Sequence, residues 1–260
     1  MSRLEVRQLT KRYRGTAVVD DVSFRLDSGE VVGYLGPNGS GKSTTVKMLA
    51  GLVEPSSGEI LFNDTSVRTD LHGFKQQLGY VPEGADVYPS MTAAEYLTLI
   101  GRLRGLPETE TRRKSSAMLE LFGLHLRRHS PLASYSKGMR QRVLITAALL
   151  HDPEVLILDE PLSGLDVSSA MLMRHLLGEL ASRGKIILYI SHVLEVVERV
   201  CTRSIILYKG RVVAEGGADE LRRMTRLPSL ERVFMHMAEQ DDGLQVARDI
   251  VDTVTSAPRP

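Results

Sequence analysis

The chain has 260 residues, 42% hydrophobic and 25% charged, the balance of a soluble globular protein with room for one large domain or two small ones. A formal net charge of +1 excludes the basic footprint of a nucleic-acid binder. The one cysteine, Cys201, excludes an intrachain disulfide and any cysteine-rich metal cluster, and it fits a reducing cytosol, with a core-filling role for the thiol.

The N-terminus alternates polar and apolar residues, which predicts a strand over 4–9 rather than a signal peptide. A second strand is expected over 22–26. Residues 31–35, Val-Val-Gly-Tyr-Leu, form a continuous apolar run suited to a buried strand. It runs straight into Gly36-Pro37-Asn38-Gly39-Ser40-Gly41-Lys42-Ser43, the pattern G-x-x-x-x-G-K-S. Helical sequence follows over 44–50. Strand, glycine-rich loop and helix in that order make a phosphate cradle. Glycines let backbone N–H groups point inward, and the helix start adds the positive end of its dipole. Lys42 is expected to reach the β- and γ-phosphates, and the Ser43 hydroxyl to ligate Mg²⁺. A plain glycine-rich turn is the weaker reading. Further strands are predicted over 58–63 and 78–82, the second closed by Pro82.

Residues 86–150 change character. Apolar residues recur at helical spacing over 92–104, 110–122 and 137–150, with no clear strand between them, so a helical insertion is expected. Ser90 or Thr92 is the candidate cap of the first helix, with Glu95 completing a capping box from Thr92. The apolar run 143–150, interrupted by Thr146, is far too short to span a membrane. If the protein works at a membrane, another chain does the spanning.

Order then returns to β/α. Residues 155–158 and 186–190 are unbroken apolar strands of the kind a parallel sheet buries on both faces. Residues 204–208 and 211–215 read as a hairpin turning at Gly210. Helices are expected over 218–224 and 229–238, and a disordered end from Ser256 to Pro260.

Two carboxylates, Asp159 and Glu160, emerge from the end of the 155–158 strand. Alone they read as the start of a solvated loop. Beside a phosphate loop, Asp159 suits Mg²⁺ and Glu160 suits a general base for water.

The motif order resembles the ATP-binding cassette (ABC) ATPases from about residue 4 to 215. Tyr135-Ser136-Lys137-Gly138-Met139-Arg140-Gln141 stands where the family carries its signature. Asp159 and Glu160 match the Walker B end, Ser163-Gly164-Leu165-Asp166 the D-loop, and Ser191-His192 the switch histidine. Tyr13 stands where an aromatic stacks on adenine. The resemblance implies an α/β fold: a P-loop NTPase (RecA-like) core with an antiparallel β subdomain and an inserted α-helical subdomain. Residues 1–216 would form the ATPase domain, with core about 1–85 and 151–216 and helical subdomain about 86–150. Residues 217–260 would be a C-terminal helical extension.

It also implies ATP and Mg²⁺ as cofactors. Glu160, His192 and Glu83 would act in catalysis. Tyr13, Gly36, Asn38, Gly39, Gly41, Lys42, Ser43, Thr44, Ser136, Gly138 and Asp166 would contact nucleotide. Ser43, Asp159 and Glu83 would serve Mg²⁺. Ser136 and Gly138 would face the γ-phosphate held by a second copy, so that two chains sandwich two ATP molecules head to tail. A lone serine before a helix is otherwise an ordinary cap, and a lone histidine after a strand an ordinary satisfied side chain.

Three residues depart from the family pattern: Glu83 replaces the usual glutamine, Lys137 a glycine and Met139 a glutamine. The signature variant and the segment Ser229-Leu230-Glu231-Arg232-Val233-Phe234 resemble ATPases paired with ABC-2 type export permeases. The implied partners are an integral-membrane permease and a second ATPase subunit, without nucleic acid. The implied location is the cytoplasmic face of the cell membrane. Alternatives are a soluble ABC protein acting on ribosomes or DNA, and an import ATPase. A single cassette without a long coiled-coil insertion argues against the first.

Overall fold

Residues 31–35, 155–158 and 186–190 have no polar face to offer water, and each lies in a strand covered on both sides. In the computed structural model, which describes residues 2–84, 87–191 and 194–225, the strands are β1 (Arg3–Tyr13), β2 (Thr16–Asp27), β3 (Val31–Leu35), β4 (Ser57–Phe62), β5 (Thr65–Ser66), β6 (Leu78–Val81), β7 (Val155–Asp159), β8 (Ile186–Ile190), β9 (Arg203–Tyr208) and β10 (Arg211–Gly216). The helices are α1 (Lys42–Leu49), α2 (Leu71–Gln76), α3 (Ala93–Leu103), α4 (Glu108–Leu121), α5 (Lys137–Leu149), α6 (Val167–Ser182), α7 (Leu194–Val200) and α8 (Ala218–Thr225).

Two sheets divide the strands. One runs β2-β1-β4-β5 and is antiparallel; the other runs β10-β9-β3-β8-β7-β6. Within the second, β9, β3, β8, β7 and β6 are parallel and β10 is antiparallel at the edge.

Alternate residues of the parallel strands enter two different cores. Val32, Tyr34, Val155, Ile157, Ile186 and Leu188 pack with the antiparallel sheet and α1. Val31, Leu35, Leu156, Leu158, Ile187 and Tyr189 pack with helices on the other face, among them α3, α5 and α6. That double burial is why the sequence shows continuous apolar runs instead of alternation. Cys201 is one of the partly buried side chains lining the helical face, and burial pushes its thiol up to about 12, as suits a core filler.

The β9–β10 hairpin turns through Lys209 and Gly210, both at positive φ, the backbone of a tight hairpin turn. Thr92, not Ser90, caps α3. Its Oγ1 accepts from the Glu95 N–H at 3.2 Å, and a Glu95 carboxylate oxygen accepts from the Thr92 N–H at 2.8 Å. β1 and β2 run longer than the apolar pattern alone predicts. Their register shifts at bulges, with Gln8 at positive φ, and a bulge breaks the two-residue period by which a strand is read.

Three helices escape the sequence reading. α6 buries Met173, Leu177 and Ala181 along one face while Val167, Met171 and Leu172 remain exposed on the others, so its apolar residues mark no single stripe. α2 and α7 have 6 and 7 residues, too short for periodicity to register. Among the described residues no helix is long and apolar enough to cross a membrane. The expected helix over 229–238, the expected disordered end, and His192 lie outside the described residues.

Candidate active site

β3 is flanked by β9 on one side and β8 on the other, and the chain leaves its C-terminal end into residues 36–41. In a parallel sheet this is where a crevice opens for a ligand. The loop is braced from behind. The Gly210 N–H donates to the Ser40 carbonyl at 2.9 Å, and the Asp20 N–H donates to the Gly210 carbonyl at 2.9 Å. Gly41 sits at φ +105°, and a Cβ there would meet the Val18 carbonyl oxygen at 2.6 Å, so both backbone angle and space demand glycine. Asn38, Gly39 and Ser43 are exposed, Thr44 is half-buried and Gly36 is buried.

The Lys42 ammonium folds back over the loop and donates to the carbonyls of Gly36 (2.6 Å) and Pro37 (3.0 Å). Burial lowers its pKa, and Glu160, Asp159 and Glu83 oppose that shift in decreasing order. Those three acids therefore lie within electrostatic range of the lysine.

Asp159 ends β7 and is buried at 6% exposure. Burial pushes its carboxyl up to about 6, with Glu83 and Glu160 adding to the rise and Lys42 and Lys47 working against it. Tyr80 on β6 is raised to about 12, mainly by burial, then by Asp159 and Glu83. Glu160 adopts φ +49°, unusual for a residue with a side chain, and its N–H donates to the Ile190 carbonyl at 3.0 Å. The turn lifts its carboxylate out of the strand line, where the Ser191 hydroxyl donates to Oε2 at 3.1 Å.

α5 starts with a cap from Ser136, whose Oγ accepts from the Met139 N–H at 3.2 Å. Ser136 is exposed while Gly138 is buried against Gly164. Lys137 donates to the Ser163 hydroxyl at 2.7 Å, so the α5 start and the 163–166 loop are held together.

The ABC transporter family profile matches residues 19–163. NatA, an ABC transporter ATP-binding protein of Bacillus subtilis (strain 168), is 36% identical over 230 residues, covering 88% of this chain and 94% of that protein. The chain belongs to the ABC transporter family.

A further relative, the Nod factor export ATP-binding protein I of Ralstonia nicotianae, is 36% identical over 218 residues, 84% of this chain and 68% of that one. Among solved structures, the dimeric post-hydrolysis state of an ATP-binding cassette bound to ADP and Pi superposes with a TM-score of 0.76 at 25% identity, covering 82% of this chain and 98% of that one. The fold is thus that of the P-loop NTPases, and the chain is an ABC ATPase, the ATP-binding and ATP-hydrolysing subunit of a transporter.

Within this ABC ATPase the 36–41 loop and Lys42 follow β3, Glu83 follows β6, and Asp159 and Glu160 close β7, with the three acids in electrostatic range of the lysine. Glu83 is exposed two residues beyond β6. Tyr13 lies at the last position of β1, 45% exposed, with the Lys11 ammonium 5.3 Å from its ring centre. Asp166 has its side chain committed within the chain. It caps α6 by accepting from the Ser169 N–H (2.9 Å) and hydroxyl (2.7 Å), and it pairs with Arg142 at 2.9 Å. The sequence reading passed over two contributors. Gly210, read only as a hairpin turn, braces the phosphate loop. Ser191, read only as the neighbour of His192, touches Glu160. The motif match held the second in plain sight, but hydrogen bonding between strand ends is a tertiary fact.

Proposed function

We propose that this ABC ATPase drives an ABC-2 type exporter as a head-to-tail dimer. ATP lies between the phosphate loop of one copy and the Ser136–Gly138 helix start of the other. The observation that carries the nucleotide reading is Lys42 folded over the glycine loop at the end of β3, in electrostatic range of Glu160, Asp159 and Glu83 at the ends of the neighbouring strands. The name of the Nod factor export relative and the signature variant at 135–142 favour export. The ADP- and Pi-bound neighbour is itself dimeric, which favours the sandwich.

The roles follow from chemistry. Backbone N–H groups of the loop and the start of α1 bind phosphate oxygens, and Lys42 exchanges its two carbonyl partners for the β- and γ-phosphates. Gly36, Asn38, Gly39, Gly41 and Thr44 shape or line that cradle, and Tyr13 stacks on adenine. Glu160 takes a proton from the attacking water, and His192 contacts the γ-phosphate. Ser136 and Gly138 approach the nucleotide of the partner, with Asp166 beside them.

The donor set suits Mg²⁺. Asp159 sits among acids that raise its pKa, so a divalent cation would relieve their repulsion, and the Ser43 hydroxyl is exposed on the loop side. Among the described residues no three acidic, histidine or cysteine side chains form a metal cage alone. Ser43 and Asp159, with Glu83 directly or through water, would hold it, and it would supply charge neutralisation at the phosphates.

The core spans about 1–85 and 151–216, and about 86–150 form the helical subdomain that meets a permease. Beyond the core, residues 218–225 form α8. The permease holds the chain at the inner face of the membrane.

Mixing two defective chains tests the shared site. Lys42→Ala and Ser136→Ala homodimers each lack two working sites. In a heterodimer, the intact loop of one chain meets the intact serine of the other, so mixing should restore ATP turnover. If the mixture turns over no faster than the average of its parents, the sites are not shared between copies.

A further inference from the structure

β7 and β8 are parallel neighbours in which Asp159 pairs with Ile190. One residue beyond that pair, each strand delivers a polar side chain, Glu160 from β7 and Ser191 from β8. The Glu160 N–H is fastened to the Ile190 carbonyl, and Ser191, 2% exposed, donates its hydroxyl to Glu160 Oε2 at 3.1 Å. Tyr189, two residues earlier on β8, is 1% exposed and belongs to the core on the helical face of the sheet.

A hydroxyl can donate its proton and a carboxylate oxygen accepts, so the Ser191 O–H is the donor in this contact.

We propose that Ser191 is a positioning residue for Glu160: it anchors one carboxylate oxygen and so fixes the angle at which the carboxylate meets the attacking water. This rests on the reading of Glu160 as the general base. The geometry explains why such an anchor is useful. Glu160 sits on a left-handed backbone turn, with a side chain long enough to swing through several rotamers. A base acts only within hydrogen-bond reach of the water, so rotation about its last bond costs rate without affecting ATP binding.

The test uses the full-length chain and measures ATP turnover together with affinity for a fluorescent ATP analogue and thermal unfolding. Ser191→Ala should lower kcat about tenfold, the size of one hydrogen bond to a charged group. KM and analogue affinity should stay within about twofold, the pattern of a lost transition-state interaction. Ser191→Thr, which keeps a hydroxyl, should recover most of kcat. In a Glu160→Gln background, Ser191→Ala should cause no further fall, because the group it positions is gone.

A Ser191→Ala chain that turns over like the wild type, while Glu160→Gln is silent, overturns the positioning role and leaves the base assignment standing. A Glu160→Gln chain with wild-type turnover overturns the base assignment and the proposal with it. Loss of analogue affinity and melting temperature in Ser191→Ala that Ser191→Thr does not recover would reduce Ser191 to a structural residue and overturn the proposal as well.

Discussion

Gly138 and Gly164 meet with no room between them. A Cβ on Gly138 would stand 2.4 Å from the Gly164 carbonyl oxygen, a backbone atom that cannot step aside alone. The start of α5 and the loop entering α6 are therefore placed by each other. Lys137 on Ser163 and Arg142 on Asp166 reinforce the same junction at 2.7 and 2.9 Å. Gly138→Ala should push them apart, at a cost of about 1–3 kcal/mol for overpacking. Turnover should fall at least about tenfold while binding of a fluorescent ATP analogue to the chain's own phosphate loop persists. Denaturant titration and steady-state ATPase assays measure both. Unchanged turnover would mean that the α5 start takes no part in hydrolysis.

Lys42→Ala removes the ammonium that now bridges the Gly36 and Pro37 carbonyls. Nucleotide affinity should drop about tenfold or more, as expected for losing a charge-assisted contact to phosphate. Hydrolysis should be abolished. Fluorescent-nucleotide titration is the direct readout, and an undiminished affinity would remove Lys42 from the phosphate site.

Glu83 is exposed, yet it acts electrostatically on Lys42, Tyr80 and Asp159. It also stands at the exit of β6, where the chain leaves the sheet toward α3. Glu83→Ala should lower permease-coupled ATPase and transport more than nucleotide affinity. Glu83→Gln should retain much of the coupling, because an amide still offers an oxygen there. Transport per ATP in reconstituted complexes decides the matter. Wild-type coupling in Glu83→Ala would leave it a surface acid.

His151, just past α5, gives stability a dependence on pH. Its Nε2–H donates to the Leu78 carbonyl at 3.1 Å, the only direction a carbonyl allows. Burial, then the Arg104 guanidinium, pull its pKa from 6.5 down to about 4, with Lys114 adding and Asp152 opposing. The folded pKa is the lower one. Between about pH 6.5 and 4 the unfolded chain therefore holds a proton the folded chain lacks. Stability should be full above this window and fall as acid is added through it. Urea midpoints at pH 7 and pH 5 should differ more for the wild type than for His151→Gln. Equal differences would show that His151 titrates normally in the folded chain.

The local parts of the site were legible in the amino-acid sequence. The strand, glycine loop and helix of 31–50 are contiguous, and their spacing marks the candidate phosphate loop without any distant partner. The same holds for the acids ending β7, the Thr92–Glu95 box and the Lys209–Gly210 turn, because each is decided by neighbours within a few residues. Tertiary structure alone decided what crosses the sheet. The order β9-β3-β8-β7-β6 sets Ser191 against Glu160, Gly210 behind Ser40, and Gly164 on Gly138. α6 belongs with these. Its mixed apolar surface has no readable stripe until the Met173–Leu177–Ala181 face meets the sheet. Strand order is chosen by packing between residues far apart in the chain, and local sequence carries no record of which strand lies beside which.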